Sequence, residues 1–131
     1  MEELIFTGKV TALYGQVSLV DAEDVNSYPQ WETGEEIVII GPKGVVVSAL
    51  IDHQIEISVY KGHEKEKGIF YFSGSFSVGN FGLLVGNEAA GFQEMIPWPK
   101  GELEVEVYAN APKGVATQVT FVLQCKSKQV E

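Results

Sequence analysis

Between Glu102 and Tyr108 the chain alternates strictly: Leu103, Val105 and Val107 are apolar, and Glu102, Glu104 and Glu106 stand between them. Successive side chains of an extended strand point to opposite faces, so this segment reads as a strand with one face in a core and one in water. Gln54 to Tyr60 repeats the pattern, with Ile55, Ile57 and Val59 opposed to Gln54, Glu56 and Ser58. Near the C-terminus Val119, Phe121, Leu123 and Cys125 alternate with Gln118, Thr120 and Gln124. Residues 9–20, 36–40, 45–51, 68–78 and 82–85 are further strand candidates, rich in Val, Ile, Phe and Tyr. Gly41-Pro42-Lys43-Gly44, Pro99-Lys100-Gly101 and the Pro112/Gly114 region supply the turns between them. No segment longer than about ten residues carries an i, i+3, i+4 apolar stripe. The expected fold is all-β: a single domain, residues 1–131, built as an antiparallel β-sandwich of about seven to nine short strands. A small closed barrel is the alternative.

Two stretches break the strand pattern. Residues 21–34 are polar and acidic around Tyr28, Pro29 and Trp31, while residues 87–100 mix Phe92, Met95, Ile96 and Trp98 with two prolines. Loops of about 12–15 residues without regular structure are uncommon and are often functional. Each of these two carries one of the chain's two Trp. One reading makes Trp31 and Trp98 staples that fasten the loops to the sandwich edge. The other makes the loops a recognition surface, since aromatic residues are enriched at interface hot spots. Internal repeats and inter-domain linkers are not evident.

Charge narrows the function classes. The 131 residues include 18 acidic and 9 basic side chains, a formal net charge of −9, and all nine basic residues are Lys. Lacking Arg, the chain has no planar bidentate donor for phosphate, and its acidity repels a polyanion. Nucleic-acid binding is therefore not expected. No apolar run reaches the roughly 20 residues of a membrane helix, and the N-terminus is acidic, unlike a secretory signal. Cys125 is alone, so no internal disulfide is expected, and a reducing cytoplasm is the simplest location.

Candidate catalysis finds little support. Cys125 shares the alternation phase of Phe121 and Leu123 and is expected to point into the core, where a thiol is inert. No G-x-S-x-G elbow is present. His53 and His63 flank one strand, near opposite ends of it, too far apart for a shared ion at about 3.3 Å per residue. Asp21 and Asp24 could offer oxygens to Ca²⁺, but without the spacing of an EF-hand. Fifteen Glu and three Asp allow many carboxylate pairs and single out none for glycosidase chemistry. The expectation is a non-enzyme with no metal and no cofactor. Its acidic positions, on the Glu102 strand, at Glu56 and around residues 21–36, either keep a β-rich chain soluble and guard its sheet edges or suit a basic protein partner such as a nuclease or a toxin. A nuclease must itself carry a positive cleft to hold its substrate.

Three segments resemble the competence protein J family. They are Tyr14-Gly-Gln-Val-Ser-Leu-Val-Asp21; Gly44-Val-Val-Val-Ser with Ile55-Glu-Ile-Ser-Val; and Pro97-Trp-Pro-Lys-Gly-Glu-Leu-Glu-Val-Glu-Val-Tyr108. Their order and spacing resemble that family over roughly residues 10–110. Gly15 stands where related sequences often have His. Members of the family include inhibitors of a nuclease that acts as DNA enters the cell, and similar small proteins look like immunity partners of toxins. The resemblance implies a cytoplasmic β-sandwich that blocks a nuclease by protein–protein contact, with no catalytic residue. The residues expected at the partner surface are Asp21, Glu23, Asp24, Tyr28, Trp31 and Glu32 of the first loop, with Trp98 of the second. The alternative is a small-ligand or carbohydrate-binding sandwich, using the same aromatics as a platform and Asp21 and Asp24 for Ca²⁺.

Overall fold

The computed structural model describes residues 3–23, 37–62, 68–87 and 90–125. Ten strands form among them: β1 (Glu3–Thr11), β2 (Gln16–Asp21), β3 (Val38–Gly41), β4 (Gly44–Ser48), β5 (Gln54–Lys61), β6 (Ile69–Val78), β7 (Leu83–Asn87), β8 (Phe92–Ile96), β9 (Gly101–Ala109) and β10 (Gln118–Cys125). They assemble into two five-stranded sheets, ordered β1-β5-β10-β9-β6 and β3-β4-β2-β7-β8. The first is called sheet A below and the second sheet B. Two separate sheets make a sandwich, not the closed barrel.

The three strongly alternating segments all lie at the centre of sheet A. β10 is sandwiched between β5 and β9, so that Val119, Phe121 and Leu123 stand beside Ile57, Val59 and Lys61 on one side and Ala109, Val107 and Val105 on the other. Their apolar phase is fully buried, as are Val17, Leu19, Val45, Val47, Leu83 and Val85 from sheet B. Interdigitation of these two inner faces forms the core. Pairing is antiparallel except between β5 and β10, which run parallel. The chain reaches β10 from the β9 hairpin, and insertion beside β5 then sets the direction.

Several expectations are corrected. The single candidate at 9–20 is two strands in different sheets, separated by a short 3-10 turn at Leu13–Gly15. Tyr14 and Gly15 both adopt left-handed backbone there, with φ of 62° and 70°. That reversal carries the chain from one sheet to the other, and it is strained at a Tyr but free at a Gly. β8 lies inside the presumed loop at 87–100. It is an edge strand held by β7, and three of its five side chains are exposed. An edge strand needs no alternating pattern to form. The N-terminal half of β1, another edge strand, was also outside the expected strands. Cys125 is exposed, not in the core. It faces Leu103 of β9, but β5 ends opposite Leu123, so the end of β10 overshoots the packed layer. Among the described residues no helix is long and apolar enough to cross a membrane.

Candidate functional site

The outward phase of sheet A brings together carboxylates that are far apart in the chain. Glu102, Glu104 and Glu106 project from β9, and Glu56 projects from β5 across the intervening β10. Between and beside them lie small hydroxyl side chains. Ser73, Ser75 and Ser77 of β6 pair with Glu106, Glu104 and Glu102, while Thr120 of β10 pairs with Ser58 of β5. This leaves shallow grooves between carboxylate ridges. One of about 300 Å³ runs along Ser73, Ser75, Glu104, Glu106 and Gln124. Another of about 240 Å³ is bordered by Glu56, Ser58, Tyr60 and Thr120. Local bonds order part of the face: Gln118 donates to Glu56 Oε1 at 3.2 Å, and the Tyr108 hydroxyl donates to Glu106 Oε1 at 3.0 Å. Phe70 packs edge-on to Tyr108 with ring centroids 5.7 Å apart.

At the end of the sandwich where β2 and β6 finish and β9 starts, the face continues into a cleft of about 700 Å³. Its walls include Glu23, Lys43, Asn80, Lys100 and Glu102. Asp21, the last residue of β2, stands behind it with no exposed surface. Its Oδ1 accepts the backbone amides of Gly79 at 3.0 Å and Glu23 at 3.2 Å. Its Oδ2 has no hydrogen-bond partner and lies 3.7 Å from the Lys43 ammonium. Glu23 is exposed, and its Oε1 accepts the Asn80 amide at 2.7 Å.

Of the seven residues expected at the partner surface, the structure therefore places Glu23 on an exposed rim and Asp21 in the interior beneath it. Trp98 is only 8% exposed and belongs to the core cluster, with the Lys61 ammonium 5.9 Å above its ring. It staples the β8–β9 connection, so it offers no open platform for a sugar or for a partner. Asp24, Tyr28, Trp31 and Glu32 lie outside the described residues, as does His63. His53 is exposed, and its Nδ1 sits 3.0 Å from the Ile51 carbonyl. No three His, Cys, Asp or Glu side chains converge on a metal position among the described residues.

The serine and threonine floor of the acidic face did not stand out from the sequence. Alternation alone assigns Ser58, Thr120, Ser73 and Ser75 to the water side of their own strands. It does not say that these strands are neighbours, and only strand order makes them one surface.

No protein-family model and no curated protein matches the sequence. Two solved structures share its fold. The protein of crocagin biosynthetic gene J superposes with a TM-score of 0.63 at 10% identity, covering 97% of this chain and 99% of its own. ComJ from Bacillus subtilis, an inhibitor of the DNA-degrading activity of NucA, superposes with a TM-score of 0.76, also at 10% identity. That match covers 95% of this chain and 98% of ComJ, so the chain has a ComJ-like fold.

Proposed function

We propose that the chain is a non-catalytic binding protein that inhibits a nuclease or nuclease toxin by protein–protein contact. The observation that carries the reading is the likeness to ComJ, a nuclease inhibitor, over nearly the whole of both chains. The acidic outer face of sheet A supports it. A nuclease that holds DNA presents a positive surface, and a rigid sheet studded with Glu56, Glu102, Glu104 and Glu106 can meet that surface where phosphates otherwise lie. Short hydroxyl side chains between the ridges leave room for lysine and arginine side chains to enter. Glu23 extends the face round the corner, and the first loop's Asp24, Tyr28, Trp31 and Glu32 are its proposed flanking contacts. The protein acts in the compartment of its target, the cytoplasm, without turnover and without a cofactor.

The test is a plasmid-degradation assay of the host cell's own purified nucleases, taken one at a time. One nuclease is expected to be silenced at equimolar chain, with an association rate that falls steeply as salt rises. If every nuclease degrades DNA at full rate under about tenfold molar excess of the chain at low salt, where charge steering is strongest, the reading fails.

A further inference from the structure

Glu23 borders a cleft together with Lys43, Lys100 and Glu102, and a long exposed side chain has several rotamers open to it. The structure nevertheless holds its carboxylate against the turn after β6. The Asn80 amide donates to it, and a side-chain carbon at Gly79 would collide with its Oε1. Gly79 is thus the residue that leaves room for this carboxylate.

The backbone beneath Glu23 is fixed by Asp21. A single buried oxygen, Oδ1, gathers the Glu23 and Gly79 amides, bridging the exit of β2 to the exit of β6. The other oxygen faces the Lys43 ammonium from the β3–β4 turn, whose backbone is bonded to both strands: the Asp21 amide donates to the Lys43 carbonyl, and the Ser77 amide to the Pro42 carbonyl. Among the described residues, the charged groups lining this corner are Glu23, Lys43, Lys100 and Glu102. Asp21 itself, fully buried, cannot touch a partner.

We propose that Asp21 is a positioning residue, which together with Gly79 holds the Glu23 carboxylate at the rim of the acidic face, ready for a basic side chain of the partner. This rests on the reading of the chain as an inhibitor whose carboxylates contact its target. Binding is faster and tighter when a contact group is held in place before the encounter, because less freedom is lost on association.

Native-state amide exchange and inhibition kinetics together test it. In Asp21→Ala and in Gly79→Ala the Asn80 amide is expected to exchange about tenfold faster or more, while amides of β9 and β10 keep their protection. Asp21→Asn retains an oxygen acceptor and is expected to fall between, and Gly79→Ala serves should Asp21→Ala fail to fold. Against the target nuclease, Asp21→Ala and Glu23→Gln are each expected to slow association about two- to fivefold, and the double variant no further than either. Unchanged Asn80 exchange in both Asp21→Ala and Gly79→Ala would overturn the proposal. So would an Asp21→Ala effect on association that adds in full to Glu23→Gln. Should the wild-type chain inhibit no nuclease, the inhibitor reading falls, and the exchange arm still decides whether Asp21 positions Glu23.

Discussion

Sheets A and B supply five strands each and meet through the same kind of aliphatic inner face, but their outward faces are unlike. On sheet A the outward phase is mostly Glu, Ser, Thr and Gln, with Lys9 beside Glu56, and water reaches most of it, although Val122 and Tyr108 are only 2% and 4% exposed. On sheet B the outward phase of the central strands is Ser18, Val20 and Val46, none more than 3% exposed although they alternate away from the inter-sheet core. Ser18 satisfies its hydroxyl internally by donating to the Gly86 carbonyl at 3.2 Å. The difference is written in the strands themselves. The central strands of sheet A, β5, β9 and β10, alternate, whereas β2, β4 and β7 are near-continuous runs of Val and Leu, the pattern of strands shielded on both sides. Sheet A is therefore the sheet able to present charge to a partner.

The strongest way to break this comparison is to put the same charge on both outward faces. Val46→Asp buries a carboxylate where no water reaches, and several kcal/mol of stability should be lost, enough to abolish cooperative unfolding or sharply lower its midpoint in urea. Thr120→Asp on sheet A should stay within about 1 kcal/mol of wild type. Equal tolerance at the two positions would erase the distinction.

Next in size is the buried corner that joins the sheets. Lys43→Met leaves the Asp21 carboxylate without a counter-ion. Breaking a fully buried pair costs about 3–5 kcal/mol. The effect here should be smaller, because the Lys43 side chain is 39% exposed and water screens it. Denaturation of Lys43→Met and of Asp21→Asn/Lys43→Met should show the double variant recovering part of the loss, since it no longer buries a lone charge.

A smaller effect is expected at Tyr71 on the edge strand β6. Its hydroxyl donates to the Ala111 carbonyl at 2.6 Å, and burial raises its pKa above the ordinary 10.0. The folded state thus holds this proton more tightly than the unfolded chain. Its contribution is complete below pH 10.0 and declines as pH rises from there through the higher folded value. Tyr71→Phe should cost about 1 kcal/mol at neutral pH and flatten that alkaline decline in a pH series of melting curves.

The smallest change in stability belongs to the acidic face. Replacing Glu102, Glu104 and Glu106 together by Gln should move stability by no more than about 0.5 kcal/mol per site, because Glu102 and Glu104 are exposed and Gln at the half-buried position 106 keeps an oxygen to accept from the Tyr108 hydroxyl. The same triple variant should associate more slowly with the target nuclease and with a weaker salt dependence. A salt dependence identical to wild type would move the contact surface away from sheet A.

Much of the fold was legible because its central strands alternate or are continuously apolar. Period-2 patterning located β5, β9 and β10, and Gly-Pro punctuation located the β3–β4 turn. Edge strands escaped. β8 carries Met95 exposed on one face and Glu94 exposed between half-buried Phe92 and buried Ile96 on the other, and the first half of β1 is nowhere fully buried, so neither shows a clean alternation. Cys125 kept the right phase but lay beyond the end of its neighbour β5, which no periodicity reveals. At the site, Glu23 was found as an exposed acidic residue, whereas Asp21, chemically its twin two positions earlier, is buried. Trp98 likewise turned inward, as a large ring beside a prolines-rich connection can when the sheets leave it a slot.

Local chemistry determined that this chain makes strands, that it carries a large negative charge, and that it lacks the Arg, Cys and His sets from which phosphate and metal sites are built. Those properties depend on residue type and spacing of two, which one strand contains by itself. Strand order was decided only in three dimensions. β10, the last strand in sequence, inserts between β5 and β9 and so places Glu56 on one surface with Glu102, Glu104 and Glu106. Pairing between strands tens of residues apart depends on which inner faces pack together, and no local pattern encodes it. Four carboxylates scattered along the sequence share one face for that reason.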